Sequence, residues 1–294
     1  MKFAFCRHIL KEMRIYQWTK NVLVYAALVF SGALFQKDTF LFATQMFFAF
    51  SFTASGVYFF NDIFDYETDR RNPKKCHRPI AAGVISRYAG AGWALSLFVA
   101  GLWLSYGIRM DCAVIVLSYI VVNLAYTVHW KHVVIIDVLM VAYGFVARAV
   151  AGAAAIGSAM TTWFLLCVMF LSLFLALGKR RHELLAFEEN RLAEGRKVLE
   201  HYSIGFIDQL MTIVTAAALM SYVLFAMDPM TNDSFAMMFT IPLVIYGMFY
   251  YLYVVRVKRG GGAPDEVLYK EKPILIVVLL YILFLNYSTR LIRE

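Results

Sequence analysis

A chain of 294 residues with 61% hydrophobic side chains, only 16% charged ones and a mean hydropathy of +0.65 is excluded from the soluble globular class. The formal net charge of +8 calls for an explanation in membrane topology first, and no nucleic-acid partner is expected from it. Cys6, Cys76, Cys112 and Cys167 are scattered with no CxxC spacing, which indicates neither a disulfide framework nor a zinc site.

Apolar runs of roughly 20 residues, each enough to cross about 30 Å of hydrocarbon, recur along the chain. They predict an all-α polytopic membrane protein, a single bundle domain over residues 1–294. Nine spans are expected at about 21–36, 39–60, 87–107, 111–128, 133–156, 161–178, 206–226, 235–255 and 273–290. Between them, Lys and Arg number 23 on one side (N-terminal arm, loops 61–86, 179–205 and 256–272, and their flanks) against 4 on the other. The positive-inside rule then places the N-terminus and the large loops in the cytoplasm, as in a bacterial-type inner membrane. An odd number of spans keeps that alternation. The basic N-terminal arm has no small-residue cleavage site after its apolar run, so it reads as the approach to a first permanent helix.

In chain order, the first span opens on Arg14, Gln17, Trp18, Lys20 and Asn21. Trp18 is an ordinary interfacial aromatic and Lys20 can snorkel. Arg14, Gln17 and Asn21 are more than a boundary needs, and suit contact with a headgroup or phosphate. The stretch from Asn61 to Arg78 is the densest block of charge, set between two long apolar runs. Asp62, Asp65 and Asp69, at i, i+3 and i+7, share one face if the segment is helical. Carboxylates so placed repel one another unless a cation sits among them, and Mg²⁺ with its oxygen ligands is the usual answer. Arg71, Lys74, Lys75 and Arg78 follow as donors suited to phosphate oxygens. A solvated loop whose basic residues merely set orientation is the competing explanation.

The fourth span ends in Tyr126, His129, Trp130, Lys131 and His132, a set that fits a bilayer edge better than a metal site. The fifth span carries Asp137 and Arg148 within apolar sequence. Charge there costs at least about 2.5 kcal/mol and marks a site by default, the structural alternative being a buried partner for a carboxylate or carbonyl. The sixth runs into Lys179, Arg180, Arg181, His182 and Glu183; the zinc-protease pattern fails because position 186 is Ala186. The charged segment 183–200 reads as a helical cap, Asp208 and Gln209 open the seventh span, and GGGAP at 260–264 reads as a turn.

Asn61-Asp62-x-x-Asp65-x-x-x-Asp69, followed by Pro73-x-Lys75-x-x-Arg78-Pro79-Ile80-Ala81-Ala82-Gly83, resembles the first aspartate-rich motif of the UbiA superfamily of intramembrane prenyltransferases. Asn72 stands where that family has a histidine. The resemblance implies nine transmembrane helices around a cytoplasm-facing active-site cavity. Four further stretches resemble its polyprenyl-phosphate phosphoribosyltransferase branch: Arg14-x-x-Gln17-Trp18-x-Lys20-Asn21; Asp137 through Gly144-Phe145 to Arg148; Leu177 to Leu184; and Tyr202-Ser203 with Asp208 to Met211. Ile15 replaces a proline common in the first of these. The second aspartate-rich motif of ordinary family members is missing, and Lys179, Arg180 and Arg181 stand in its place.

The resemblance implies a Mg²⁺-dependent pentosyltransferase that moves the 5-phosphoribosyl group of phosphoribosyl pyrophosphate onto a polyprenyl phosphate. On that reading Asp62, Asp65 and Asp69 hold the metal and Asn61 assists. Lys75, Arg78, Lys179, Arg180 and Arg181 grip phosphates. Arg14, Gln17, Lys20, Asn21, Tyr126, Lys131, Asp137, Arg148, Glu183 and Asp208 complete the substrate cavity. The membrane itself and a polyprenyl lipid are the implied partners, and a homo-oligomer is left open. Two other readings stay open at this point: an aromatic prenyltransferase using an isoprenyl diphosphate, and a transporter of phosphorylated metabolites.

Overall fold

The computed structural model describes residues 2–73, 75–189, 197–228, 237–258, 260, 267 and 270–291, and among them there is helix and no strand. Two compact units divide the chain. One comprises Met1–Val29, Ala33–Lys131 and Ala147–Ala159; the other comprises Phe30–Gly32, His132–Val146 and Met160–Glu294.

The first unit begins with helix α1 (Lys2–Glu12), a 3₁₀ segment Ile15–Tyr25 and the short α2 (Ala26–Phe30). It continues through α3 (Lys37–Phe64), α4 (Tyr66–Arg71), α5 (Arg87–Tyr106) and α6 (Met110–Val128). At 28 residues, α3 is about 42 Å long, enough to cross the hydrocarbon layer and carry Asn61 and Asp62 beyond it. Helix α5 starts where Ser86 Oγ accepts the Ala89 N–H at 3.2 Å, a side-chain cap for an otherwise orphaned donor. It then packs directly on α3. A Cβ on Gly101 would lie 2.1 Å from Thr53 Oγ1, so only glycine permits that approach. Ile9, Met13, Phe59, Ile80, Ile85 and Leu97 form the apolar floor under the charged 61–78 stretch.

Helix α7 (Ile136–Ile156) enters this unit from Ala147 onward. Gly152 meets the 3₁₀ segment so closely that a Cβ would fall 1.9 Å from the Val24 carbonyl oxygen. The expected first span at about 21–36 is thus divided between a 3₁₀ segment and one α-helical turn and a half. Eleven residues in 3₁₀ geometry is long for that conformation, which bonds less favourably than an α-helix.

In the second unit, α8 (Thr162–Glu189) and α9 (Ile204–Ala226) pack along one another, with α10 (Ile241–Arg256) and α11 (Lys272–Leu291) after them. Phe174, Leu177, Ile207, Met211, Tyr251 and Val255 are core side chains there. Ser203 Oγ caps α9 by accepting from Phe206 N at 3.2 Å. The expected sixth span ended at 178, whereas α8 continues without a break through Lys179, Arg180 and Arg181 to Glu189. Six described helices (α3 and α5 through α9) are long and apolar enough to cross a membrane; α10 and the stretch Lys272–Phe284 are shorter apolar helices. Lys74, residues 190–196 of the expected charged cap and the GGGAP run from 261 onward lie outside the described residues.

Candidate functional site

The helix expected to align three aspartates stops at Asp65 instead. Helix α3 ends at Phe64, Asp65 takes a non-helical conformation (φ −88°, ψ 11°), and α4 restarts at Tyr66. Across this corner Asp62 and Asp69 share one partner and Asp65 takes another. Arg14 Nη2 donates to both Oδ1 and Oδ2 of Asp62 at 2.6 Å, and its guanidinium lies 4.7 Å over the Tyr58 ring. Arg78 Nη1 bridges Asp62 Oδ1 at 2.9 Å and Asp69 Oδ2 at 2.6 Å. Lys75 Nζ stands 3.5 Å from Asp69 Oδ1. Lys131 donates to Asp65, and Thr127 donates to the Asn61 side-chain carbonyl. Asp62, Asp65, Asp69, Asn61, Arg14, Lys75, Arg78 and Lys131 therefore belong to one polar cluster.

Asp62 and Asp69 are buried, which strengthens their pairing with guanidinium groups. Arg14 holds a left-handed backbone (φ 52°, ψ 52°), a strained choice for a residue with a side chain. Strain of this sort persists where surrounding bonds over-determine it, and here the doubled bond to Asp62 does so. Glu12, at the end of α1, is 1% exposed, and neither of its carboxylate oxygens has a hydrogen-bond donor. Burial pushes its pKa up from 4.5 to about 8, with the neighbouring Asp62 adding to the rise. The sequence reading missed Glu12. The available signal was its isolation, as the first acidic residue of the chain in an arm carrying five Lys and Arg.

Two more expected residues of the first unit lie deeper. Arg148 is buried, its Nε donating to Asn21 Oδ1 at 2.6 Å and its Nη2 to the Tyr119 hydroxyl at 3.0 Å. Its guanidinium also lies over the Phe50 and Tyr119 rings. A carbonyl and a phenol thus receive a charge that the sequence left between a site role and a buried partnership. Gln17 is half-buried with an unpartnered Oε1, Lys20 is exposed, and Tyr126 is half-buried.

The second unit gathers the remaining expected residues. Arg180 Nε donates to Asp137 Oδ2 at 2.7 Å, and its Nη1 donates to Glu183. The Tyr202 hydroxyl donates to Asp137 Oδ1 at 2.8 Å and accepts the Ile135 N–H at 2.8 Å. Ile135 has φ +71°, a conformation β-branched residues rarely adopt. Burial drives the Tyr202 pKa upward, so the phenol stays protonated and can donate. Arg181 Nε reaches Asp208 Oδ1 at 2.9 Å and its Nη1 the Val255 carbonyl at 2.9 Å. Lys179, on the same helix, is exposed.

Whether these residues suit a divalent cation can be judged from the donor set. Among the described residues no three His, Cys, Asp or Glu side chains converge on a common point. The first cluster nevertheless supplies hard carboxylate oxygens, and Asp69 Oδ1 is buried without a hydrogen-bond donor, with only the Lys75 ammonium 3.5 Å away. Such an oxygen beside guanidinium-bridged ones fits a hard cation that competes with Arg14 and Arg78. No similar orphan carboxylate occurs among the described residues of the second unit.

Residues 21–267 match the model of the UbiA prenyltransferase family. The chain belongs to that family. It is similar to the decaprenyl-phosphate phosphoribosyltransferase of Corynebacterium glutamicum, 37% identical over 93% of this chain and 84% of that protein. The protein of the same name from Mycolicibacterium smegmatis is 35% identical over 93% of this chain and 90% of its own length. Among solved structures, a UbiA homolog from Archaeoglobus fulgidus bound to GPP and Mg²⁺ superimposes with a TM-score of 0.74 at 16% identity, covering 98% of this chain and 100% of that one. The same homolog bound to Cd²⁺ gives 0.71, at 16% identity and coverage of 98% and 100%. At that identity the likeness establishes the fold, an all-helical UbiA fold.

Proposed function

We propose that this family member transfers the 5-phosphoribosyl group of phosphoribosyl pyrophosphate to a polyprenyl phosphate and releases pyrophosphate. The observation that carries the proposal is the 37% identity, over 93% of the chain, with the C. glutamicum phosphoribosyltransferase. The residue chemistry agrees with it. The donor brings a diphosphate and a 5-phosphate, and the acceptor is a third anion, so a site for the pair needs many cations. Lys179, Arg180 and Arg181 add such cations where other family members are expected to carry carboxylates.

Asp62, Asp65 and Asp69 would hold Mg²⁺, with Asn61 assisting. When bound, the ion neutralises charge on the departing diphosphate. Arg78 and Lys75 would turn their donors from Asp62 and Asp69 to phosphate oxygens. Lys131, on Asp65, is placed to follow the same exchange. Asp137, Tyr202 and Glu183 fix Arg180 in one orientation, which preorganises a guanidinium for a phosphate. The attacking phosphate oxygen is already ionised at neutral pH, so no general base is required. We place the N-terminus and the loops 61–86, 179–205 and 256–272 in the cytoplasm, in a single nine-span domain over residues 1–294 of a bacterial-type inner membrane. The count of 23 basic residues against 4 supports that orientation.

The test is pyrophosphate release by the detergent-purified protein in two mixtures. One contains Mg²⁺, phosphoribosyl pyrophosphate and a polyprenyl phosphate; the other contains Mg²⁺, an isoprenyl diphosphate and an aromatic acid. Release in the first with a ribosylated lipid by mass spectrometry is expected. Release in the second alone would overturn the reading in favour of aromatic prenylation.

A further inference from the structure

Outside the Asp62 cluster, three hydrogen-bond donors gather around one ring, and none of them has a carboxylate. Arg70 Nη1 donates to the Tyr66 hydroxyl at 3.1 Å, and its guanidinium carbon lies 5.4 Å from the centre of that ring. The Arg87 guanidinium carbon lies 5.0 Å from the same centre. Because the Tyr66 oxygen accepts from Arg70, its own proton is free to be donated, and no described residue takes it. Neither arginine forms an ion pair among the described residues, and Glu67 on the same short helix pairs with neither. Two like charges on one ring repel each other, and cation–π attraction at an exposed site is modest. Arg87 also sits in the first turn of α5, where the helix dipole disfavours a cation and no acidic side chain offsets it. The arrangement is unfavourable until an anion joins it.

What surrounds the ring identifies the carrier of that anion. Tyr66 packs at the edge of the apolar floor together with Trp18, Phe52 and Phe98, all of them only half-buried. Trp18 meets both Phe52 and the exposed Phe48 edge-on. Arg87 opens a helix long and apolar enough to cross the membrane, so Phe98 lies at hydrocarbon depth beneath it. Cations at headgroup level above uncovered apolar rings are matched by a phosphate that carries acyl chains. A soluble phosphate would leave the rings bare.

We propose that Tyr66, Arg70 and Arg87 bind the phosphate of an anionic phospholipid whose acyl chains cover Trp18, Phe52 and Phe98. A zwitterionic lipid fits less well, because its ammonium group meets the second guanidinium. The bound lipid links Arg70 of α4 to Arg87 of α5, and so braces the corner at Asp65 from outside. The arginines of the Asp62 cluster take no part, since Arg14 and Arg78 are held by aspartates.

Native mass spectrometry of the detergent-purified full chain, titrated with phosphatidylglycerol or phosphatidylcholine, measures the first lipid bound. The native protein should bind phosphatidylglycerol about tenfold more tightly. In Arg70→Gln/Arg87→Gln that preference should fall to within about twofold, because both charge-assisted contacts are gone. Arg7→Gln/Lys11→Gln removes the same charge from exposed positions of α1 and should keep the preference. Tyr66→Phe retains the ring, loses only the donor, and should reduce the preference about threefold. Equal binding of the two lipids by the native protein overturns the proposal, as does a preference that survives Arg70→Gln/Arg87→Gln. A preference lost equally in the α1 variant also overturns it, since that would mean diffuse attraction to charge. Displacement of phosphatidylglycerol by an equal concentration of a polyprenyl phosphate would overturn it too, in favour of a second site for the lipid substrate.

Discussion

The acidic cluster around Asp62 and the network around Asp137 use the same side-chain chemistry and end in opposite conditions. Around Asp137 each carboxylate oxygen has its own donor, Arg180 on Oδ2 and Tyr202 on Oδ1, and both carriers are buried. Around Asp62 the carboxylates share donors: Arg78 serves two aspartates, Asp62 takes two arginines, and Asp69 Oδ1 goes without a hydrogen bond. A network in which every lone pair is matched resists change. One in which donors are shared and oxygens left over can exchange partners at small cost, which is what ligand binding demands. The comparison assigns a fixed arrangement to the Asp137 network and exchange of partners to the Asp62 cluster.

That assignment breaks most readily at Asp137. Asp137→Ala takes from the buried Arg180 the acceptor of its Nε and from the Tyr202 hydroxyl the oxygen it donates to, and it should cost about 3–5 kcal/mol of stability. Thermal unfolding in detergent would show it. Unfolding at the native temperature would mean the network is not the rigid one. Asp65→Asn should do the reverse. Asp65 is partly exposed and paired with one lysine, so its unfolding temperature should stay close to native. Turnover in the first assay mixture should fall by a factor of about 10²–10³ or more, the size expected for losing an electrostatic contributor. Near-native activity in this variant would remove Asp65 from the metal set.

The first unit also has a rigid part, and it sharpens the contrast within that unit. Gly152→Ala would set a Cβ against the Val24 carbonyl, where backbone and not a flexible side-chain end must yield. Overpacking of this sort costs about 1–3 kcal/mol. Since Arg148, four residues earlier, bonds Asn21 in the same 3₁₀ segment, the loss should appear as lowered stability with Mn²⁺ affinity unchanged.

Apolar run length made the membrane class and most helices legible in the sequence, because hydrocarbon thickness leaves few other uses for such runs. The charged residues to watch were legible too: Asp62, Asp69, Arg14, Arg78, Asp137, Arg148 and Arg180 all sit in specific polar contacts. Their pairing was not. Arg148 meets Asn21 from 127 residues away, and Lys131 meets Asp65 from 66 away, distances over which local periodicity carries no information. The 3₁₀ geometry of Ile15–Tyr25 was hidden as well, since eleven apolar-rich residues give nearly the same pattern at three residues per turn as at 3.6. The break at Asp65 falls between the aromatic residues Phe64 and Tyr66, with no adjacent glycine or proline to announce it.

The smallest effect expected is a recovery of about 1 kcal/mol at Ile135, beside Tyr202, where the rigid network carries its own strain. Tyr202→Phe keeps the ring stacked on Phe206 and removes only the hydroxyl. The Ile135 N–H then loses its acceptor and Asp137 loses one of its two donors. A loss of about 1–3 kcal/mol is expected for leaving such groups unmatched. Part of it is specific to Ile135, which holds φ +71° against the steric preference of its branched side chain. Glycine adopts that conformation freely, and left-handed backbone costs other residues about 1–2 kcal/mol. Ile135 is exposed, so Ile135→Gly gives up little packing. In the Tyr202→Phe background it should therefore recover about 1 kcal/mol of the loss. Equal damage with and without Ile135→Gly would show that the hydroxyl supports Asp137 alone, and that the bond to Ile135 does not hold the strained turn in place.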